Sequence, residues 1–324
     1  MAVPNSTYTE LATTTLAHYQ SELADNILTH NALLDRLKKK GNAEPVGGGT
    51  TILENLMYST NSTVLWYSGL EYLDVSTSDV LTSANFDWKE LNANVVISGL
   101  DKAKNSGTKE SVFNLLKSRI RVAEITLQNT VAAALYYSNT ENSGKALGGL
   151  QYLVADLPSA SATVGGIDQS TQTWWRNQFY DFSTNSVTAS ATTIQNAMNQ
   201  VYISATRGKD KPDMFVGGTT YFNYYLQSLQ AQQMFVKNDT AGAGFASLSY
   251  WGGMAEVFFD PNETSGTRLY ALNTDYLHFR PHTDFNFVTL DDKVSVNQDA
   301  TVVPLYFKGN LTVSNRARQG VVCA

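Results

Sequence analysis

Two neighbouring stretches, GGLQYLVAD at Gly148–Asp156 and GGIDQSTQTWWRN at Gly165–Asn177, occupy the middle of this 324-residue chain. In the first, a glycine pair precedes an apolar run, and Leu150–Ala155 reads as a short strand. The second lies in a polar, glycine-bearing segment, Ser159–Ser190, and ends in a tight aromatic and basic cluster at Trp174, Trp175 and Arg176.

Upstream, Thr108 is placed to cap a helix running to about Ser138, with Glu110 in its first turn. Val112, Leu116, Ile120, Ala123, Leu127, Val131 and Ala134 fall on one apolar stripe of that helix. About thirty residues at 1.5 Å rise give a rod on the order of 45 Å. Between Thr50 and Asn105 the pattern is β-rich, with runs at Thr63–Tyr67, Leu70–Val75 and Asn94–Ile97, as in a long hairpin or small sheet. Trp66, Tyr67, Tyr72, Phe86 and Trp88 crowd into this segment. A two-stranded excursion is marginal alone in water, so these rings need cover, either from the parent domain or from a neighbouring subunit.

The chain opens with a helical pattern over Leu11–Lys40, in which Leu16, Tyr19, Leu23, Ile27, Leu34 and Leu37 make one apolar stripe. His30 falls on the stripe and reads as a packed or interfacial side chain. Pro45 and Gly47–Gly49 break the helix, which gives an arm on a hinge. The basic run Arg36, Lys38, Lys39 and Lys40 opposes the negative end of the helix dipole. Downstream, Thr192 or Thr193 caps a helix carrying Ile194, Ala197, Met198, Val201, Tyr202 and Ala205. A buried strand at Met214–Val216, a turn at Gly217–Gly218 and a helix over Tyr221–Gln232 follow. Strands are expected at Ala255–Phe259, Arg268–Asn273, Tyr276–Phe279, Phe285–Thr289, Val302–Phe307 and Asn310–Ser314. The αβα unit implies a mixed central sheet and an α+β fold.

The composition is 43% hydrophobic and only 16% charged, with a net charge of −6, whereas about 25% charged residues is ordinary. The surface is therefore rich in neutral hydrogen-bonding groups, which suits large contacts between neighbours. A basic stripe for reading nucleic acid is missing from the sequence. Cys323 is the sole cysteine, which excludes an intrachain disulfide or a thiolate metal cluster within one chain. The opening MAVPNSTYTE has no signal-peptide pattern, and no run approaches the roughly 18 apolar residues of a membrane span. No membrane partner is expected, and synthesis is expected in the cytoplasm.

Catalytic patterns are absent from the sequence. GGGTT at Gly47–Thr51 lacks the Lys-Ser/Thr of a phosphate-binding loop. His278 and His282 are four apart, but Pro281 breaks helical spacing. There is no Gly-x-Ser-x-Gly elbow, and the adjacent acids Asp291 and Asp292 read as a solvated turn. No catalytic residue, cofactor or metal is expected. A glycosidase pair among the 29 acids has no signature of its own, so a polar glycosidase or lectin stays as a third reading.

The order of elements, together with GGLQYLVAD, GGIDQSTQTWWRN and the C-terminal KGNLTVSNRARQGVV, resembles the major capsid proteins of tailed bacteriophages, whose fold is called the Hong Kong 97 type. The resemblance implies an N-terminal arm over 1–49, an extended loop over 50–105, a peripheral domain with a spine helix over 106–189, an axial domain over 190–300, and a return to the peripheral domain over 301–324. It implies a structural protein, not an enzyme, that assembles as hexamers and pentamers into an icosahedral shell in the virion. The shell would enclose double-stranded DNA without reading its sequence. Trp66, Tyr67, Tyr72, Phe86 and Trp88 would be loop contacts between subunits, and Leu16, Leu23, Ile27 and Leu34 arm contacts. A scaffolding protein, a portal and decoration proteins are the implied partners. An encapsulin, a cellular compartment of the same fold, is the alternative.

Overall fold

The computed structural model describes residues 31–104, 109–232, 247–250, 253–291, 293–294 and 297–324. Helix α1, Ala32–Lys39, buries Ala32, Leu33 and Leu37. An antiparallel hairpin of β1 (Ile52–Met57) and β2 (Leu81–Phe86) follows, with Ile52 opposite Phe86 and Met57 opposite Leu81. Next come β3 (Lys89–Ser98), α2 (Gly99–Lys104) and the spine helix α3 (Lys109–Ala134). After a short helix, α4 (Leu150–Leu153), a two-stranded hairpin pairs β4 (Thr163–Val164) with β5 (Ile167–Asp168). Its two loop residues, Gly165 and Gly166, have φ of 61° and 78°, the two positive values that a type I′ turn demands and glycine supplies.

Helix and strand then alternate through β6 (Gln178–Asp181), α5 (Ile194–Ala205), β7 (Met214–Gly217) and α6 (Thr219–Gln232), and strands follow: β8 (Ser247–Tyr250), β9 (Ala255–Phe259), β10 (Leu269–Leu272), β11 (Leu277–Pro281), β12 (Val288–Thr289), β13 (Lys293–Val294), β14 (Ala300–Val313) and β15 (Gly320–Cys323). Six of these strands form a mixed sheet in the order β6-β15-β10-β7-β9-β8, parallel at β15–β6 and β7–β9. Strands β7, β10 and β15 are buried at every position because the sheet is covered on both faces. Successive side chains divide between two cores, as the strand period requires. Phe215, Leu269, Ala271 and Val322 meet α5 and α6, while Met214, Val216, Tyr270, Leu272 and Val321 meet α1, the end of α3 and α4.

The second sheet is built on β14, a single 14-residue strand where the sequence suggested two. One edge pairs with all of β3, from Ala300 opposite Ser98 to Gly309 opposite Lys89. The other edge takes β13, β12 and β11 in turn. Helix α3 lies on this sheet, its Leu127 in a cluster with Val95, Val303 and Leu305, and Ile120 and Ala123 packed beside it. The side chains of Val112 and Leu116 lie outside the described part. At 26 residues the helix is about 39 Å long.

Several expectations are corrected. Leu150–Leu153 is helix, not strand: Leu150 and Leu153, three apart, are both buried, and the amide of Leu150 donates to Leu135 O at 2.6 Å. The chain thus caps the carbonyl end of α3, which ends at Ala134 rather than near Ser138. Runs 63–67 and 70–75 are not strands, since β propensity needs a paired neighbour to act on. The strands of the excursion are instead β1 and β2 at its base. The sheets also cut across the expected domain bounds. Residues 277–294, expected in the axial unit, pair with β14, and β15, expected to return to the peripheral unit, lies inside the six-stranded sheet.

Candidate assembly surfaces

Between β1 and β2 the chain runs through residues 58–80 without regular secondary structure. Most of its hydrogen bonds are local, such as Thr63 N to Asn61 Oδ1 at 2.9 Å and Ser76 N to Asp74 Oδ1 at 2.9 Å, and Tyr58 N to Val80 O at 3.1 Å closes its base. Within 64–75, Val64, Leu65, Trp66, Tyr67, Leu70, Tyr72, Leu73 and Val75 are all exposed, with Trp66 and Tyr72 each at 101%. A soluble monomer rarely shows so contiguous an apolar run, and such surface marks an interaction site.

The five expected loop aromatics therefore divide. Trp66, Tyr67 and Tyr72 stand free on the excursion, whereas Phe86 is 2% exposed and belongs to the chain's own core. Trp88 is half-buried against that core, donates from Nε1 to Gly49 O at 2.9 Å and lies 5.4 Å from the His282 ring. For these two the parent domain supplies the cover. Phe86 is the hairpin's last inward position and Trp88 follows it at the root, a distinction that counting aromatics does not reveal.

The quoted middle stretches form the support of that root. The turn at Gly165 presses on β2: a Cβ there would stand 2.9 Å from Ala84 Cβ and 3.0 Å from Phe86 Cζ, and Asn85 N donates to Gly165 O at 2.8 Å. Trp174 lies 5.7 Å from Tyr58, where the excursion leaves β1. Beneath them Trp175 is buried and donates from Nε1 to Val164 O at 3.0 Å. The fully buried Arg316 of the C-terminal stretch ties the set together, donating to Leu153 O, Trp175 O, Gln169 Oε1 and Asn177 Oδ1. Burial pushes its pKa down to about 10, still far above neutral, so it is a cation held by neutral acceptors. Sequence reading singled out the Trp-Trp-Arg cluster but passed over Arg316, whose signal is only its place in KGNLTVSNRARQGVV.

The arm's root is fixed rather than free. Arg36 reaches Asp213 and Glu256, both at 3.3 Å, so the basic run does more than face a helix dipole. Lys40 reaches Asp213 at 2.8 Å and Asp275 at 2.7 Å. Burial opposes the Lys40 charge, but the hydrogen bonds and charges of Asp213 and Asp275 outweigh it and raise its pKa. Burial likewise opposes the Asp213 charge, and Lys40 and Thr274 overcome it and lower its pKa. Asn31 Nδ2 and Tyr136 OH both donate to the buried Asp260 at 2.7 Å, whose pKa burial raises. Beyond α1, Val46 N donates to Pro281 O at 2.8 Å. The Gly47–Gly49 break therefore joins two anchored segments and is no hinge for α1. Of the arm residues, Leu34 is half-buried against the core; Leu16, Leu23, Ile27 and His30 lie outside the described residues.

His278 and His282 serve packing. His278 Nε2 sits 3.3 Å from Ser314 Oγ, and His282 Nδ1 accepts from Asp284 N at 3.0 Å. Among the described residues no group of three His, Cys, Asp or Glu side chains is arranged to hold a metal, and no helix is long and apolar enough to cross a membrane.

The architecture matches solved shells along nearly its whole length. The capsid asymmetric unit of cyanophage A-1(L) superposes with a TM-score of 0.71 at 13% identity, covering 94% of this chain and 95% of that one. This is the fold of a tailed-phage capsid protein. The capsid of the native GTA particle shares the capsid fold at a TM-score of 0.57 and 13% identity over 94% and 93% of the two chains. The SrpI encapsulin of Synechococcus elongatus shares it at 0.54 and 10% over 100% and 96%. No family model and no curated protein matches the sequence. Within the capsid fold, two packed sheets and a spine helix hold a naked apolar excursion away from the body.

Proposed function

We propose that the chain is the major capsid protein of a tailed bacteriophage, of the Hong Kong 97 type. It assembles as pentamers and hexamers into an icosahedral shell around double-stranded DNA. The observation that carries this reading is the exposed 64–75 run on a capsid fold, because a repeated subunit can cover on its neighbour what it leaves bare on itself. The function is mechanical rather than catalytic. Many modest contacts let assembly correct its errors and then hold. Trp66, Tyr67 and Tyr72 act as contacts between subunits, and the segment before α1, with Leu16, Leu23 and Ile27, acts as an arm on a neighbour. With a net charge of −6, the shell adheres weakly to the phosphates it encloses. A scaffolding protein, a portal and decoration proteins complete the virion, and the chain is made in the host cytoplasm.

An encapsulin is the second reading, supported by the SrpI encapsulin's sharing of the fold. Electron microscopy of the purified chain tests the proposal. Closed icosahedral particles are expected, with DNA filling in the presence of a portal for the phage reading and a protein cargo for the encapsulin. A monomer that binds sugar would overturn both.

A further inference from the structure

A pocket of about 110 Å³ opens beside the last turns of α3. Val131, Ala134, Leu147 and Phe307 line it and are buried, so they make an apolar floor, while Lys89 and Lys145 stand at its mouth. Lys89 Nζ donates to Gly144 O at 2.5 Å, which fixes one cation there. Glu90, also at the rim, is paired with Lys308 at 2.8 Å, so the mouth is left net positive.

We propose that this pocket seats the Trp66 ring of a second copy of the chain. The inference rests on the shell reading and names the site that receives the excursion. At about 110 Å³ it is smaller than the apolar cavity of about 150 Å³ that encloses a benzene, so it takes the six-membered edge of the indole and leaves the rest of the ring at the open mouth. Charge agrees as well: residues 58–80 carry Glu71, Asp74 and Asp79 and no lysine or arginine, and acids flanking an inserted ring meet Lys89 and Lys145 at the mouth. Within one chain the ring and the pocket do not meet, since Trp66 is 101% exposed. A buried aromatic anchor surrounded by a charged rim is how interfaces concentrate their energy.

Assembled particles of the full chain test this by cysteine pairing. Cys323 is buried and can stay. Ser68→Cys, which keeps the Trp66 ring and lies two residues from it, combined with Ala146→Cys at the pocket wall, should give a ladder of linked subunits on a non-reducing gel after mild oxidation, and neither single variant should. Particles of the double variant without a ladder would overturn the proposal. So would a link formed inside one chain between Ala146→Cys and Tyr19→Cys, which gives the pocket to the N-terminal segment. As a second measure, Ala146→Trp fills the pocket from its own chain. It should melt like the parent yet yield about tenfold fewer particles, the scale of one lost interface anchor; parental yields would count against the site. Failure of the unmodified chain to form particles would instead remove the shell reading itself.

Discussion

Arg316 Nη2 donates to Gln169 Oε1 at 2.9 Å across 147 positions of sequence, and this bond joins the C-terminal stretch to the middle of the chain. The guanidinium also satisfies Leu153 O and Trp175 O, at 2.7 and 3.1 Å, and its carbon lies 5.7 Å from the Trp175 ring. Arg316→Ala would strand three buried acceptors, Leu153 O, Trp175 O and Gln169 Oε1, while Asn177 Oδ1 keeps the Ala155 amide; the cost is about 1 to 3 kcal/mol for each that water does not reach. Loss of most soluble protein is expected. Arg316→Lys keeps the charge but has three donors without the planar fork, and should fold with a clearly lower denaturant midpoint. Equal midpoints for Arg316→Lys and the parent in urea titrations would contradict this.

Gly149→Ala should be more damaging than its size suggests. The added Cβ would stand 2.5 Å from Ala134 O, 2.6 Å from Leu135 O and 2.6 Å from Tyr137 N. All three are backbone atoms at the end of α3, so no rotamer change relieves the overlap. Either the α3 cap opens or the chain fails to fold, with a cost of about 3 kcal/mol or more. Circular dichroism and the soluble fraction on expression would show it. Gly41→Ala is the contrast: nothing lies within 4 Å, and only its φ of 77° costs, about 1 kcal/mol.

Much of this fold was legible because its strongest signals are periodic. Ile194, Ala197, Met198, Val201, Tyr202 and Ala205 are all buried on α5, as their spacing required, and Ala255–Phe259 is a strand at the bounds expected. What escaped depends on partners distant in sequence. Leu150–Leu153 looks β-like alone, and only its docking on α3 makes it a helix. Residues 63–67 and 70–75 look β-like too, but no strand among the described residues pairs with them. Phe86 and Trp66 are both loop aromatics in sequence, and only the inward register of β2 sends the first to the core. The arm's anchor was illegible for the same reason, since Asp213 and Glu256 give no sign of belonging to Arg36.

The anchor of α1 should depend on pH at both extremes. Asp213 has its folded pKa lowered below the model-compound value of 3.8, so its contribution is present above that value and lost as pH falls through the folded pKa. Lys40 has its folded pKa raised above 10.5, so its contribution is full below that value and lost as pH rises through the folded pKa. Between roughly pH 4 and pH 10 the anchor holds. Asp213→Asn removes a partner from both Arg36 and Lys40 and should weaken the docking by about 1 to 3 kcal/mol. Trypsin should then cut after Lys38 to Lys40 faster in the variant than in the parent at pH 7. Equal rates would mean that burial of Leu33 and Leu37 alone secures the helix.

The excursion gives the sharpest separation of folding from assembly. Trp66 and Tyr72 are fully exposed, so Trp66→Ala with Tyr72→Ala removes nothing from the chain's own cores and should leave the melting temperature within about 2 °C of the parent. In a shell the same pair loses two interface aromatics, about 2 kcal/mol each in a packed contact, repeated at every subunit. Particle yield by sedimentation should therefore collapse while the unassembled chain stays soluble and folded. Phe86→Ala should behave in the opposite way, because its ring belongs to the core that includes Ile52 and Ala84. It should cost about 3 to 5 kcal/mol of folding stability, and whatever folds should still carry an intact contact surface. If the Trp66 and Tyr72 double variant assembled at the parental yield, the exposed run would need another partner than the shell.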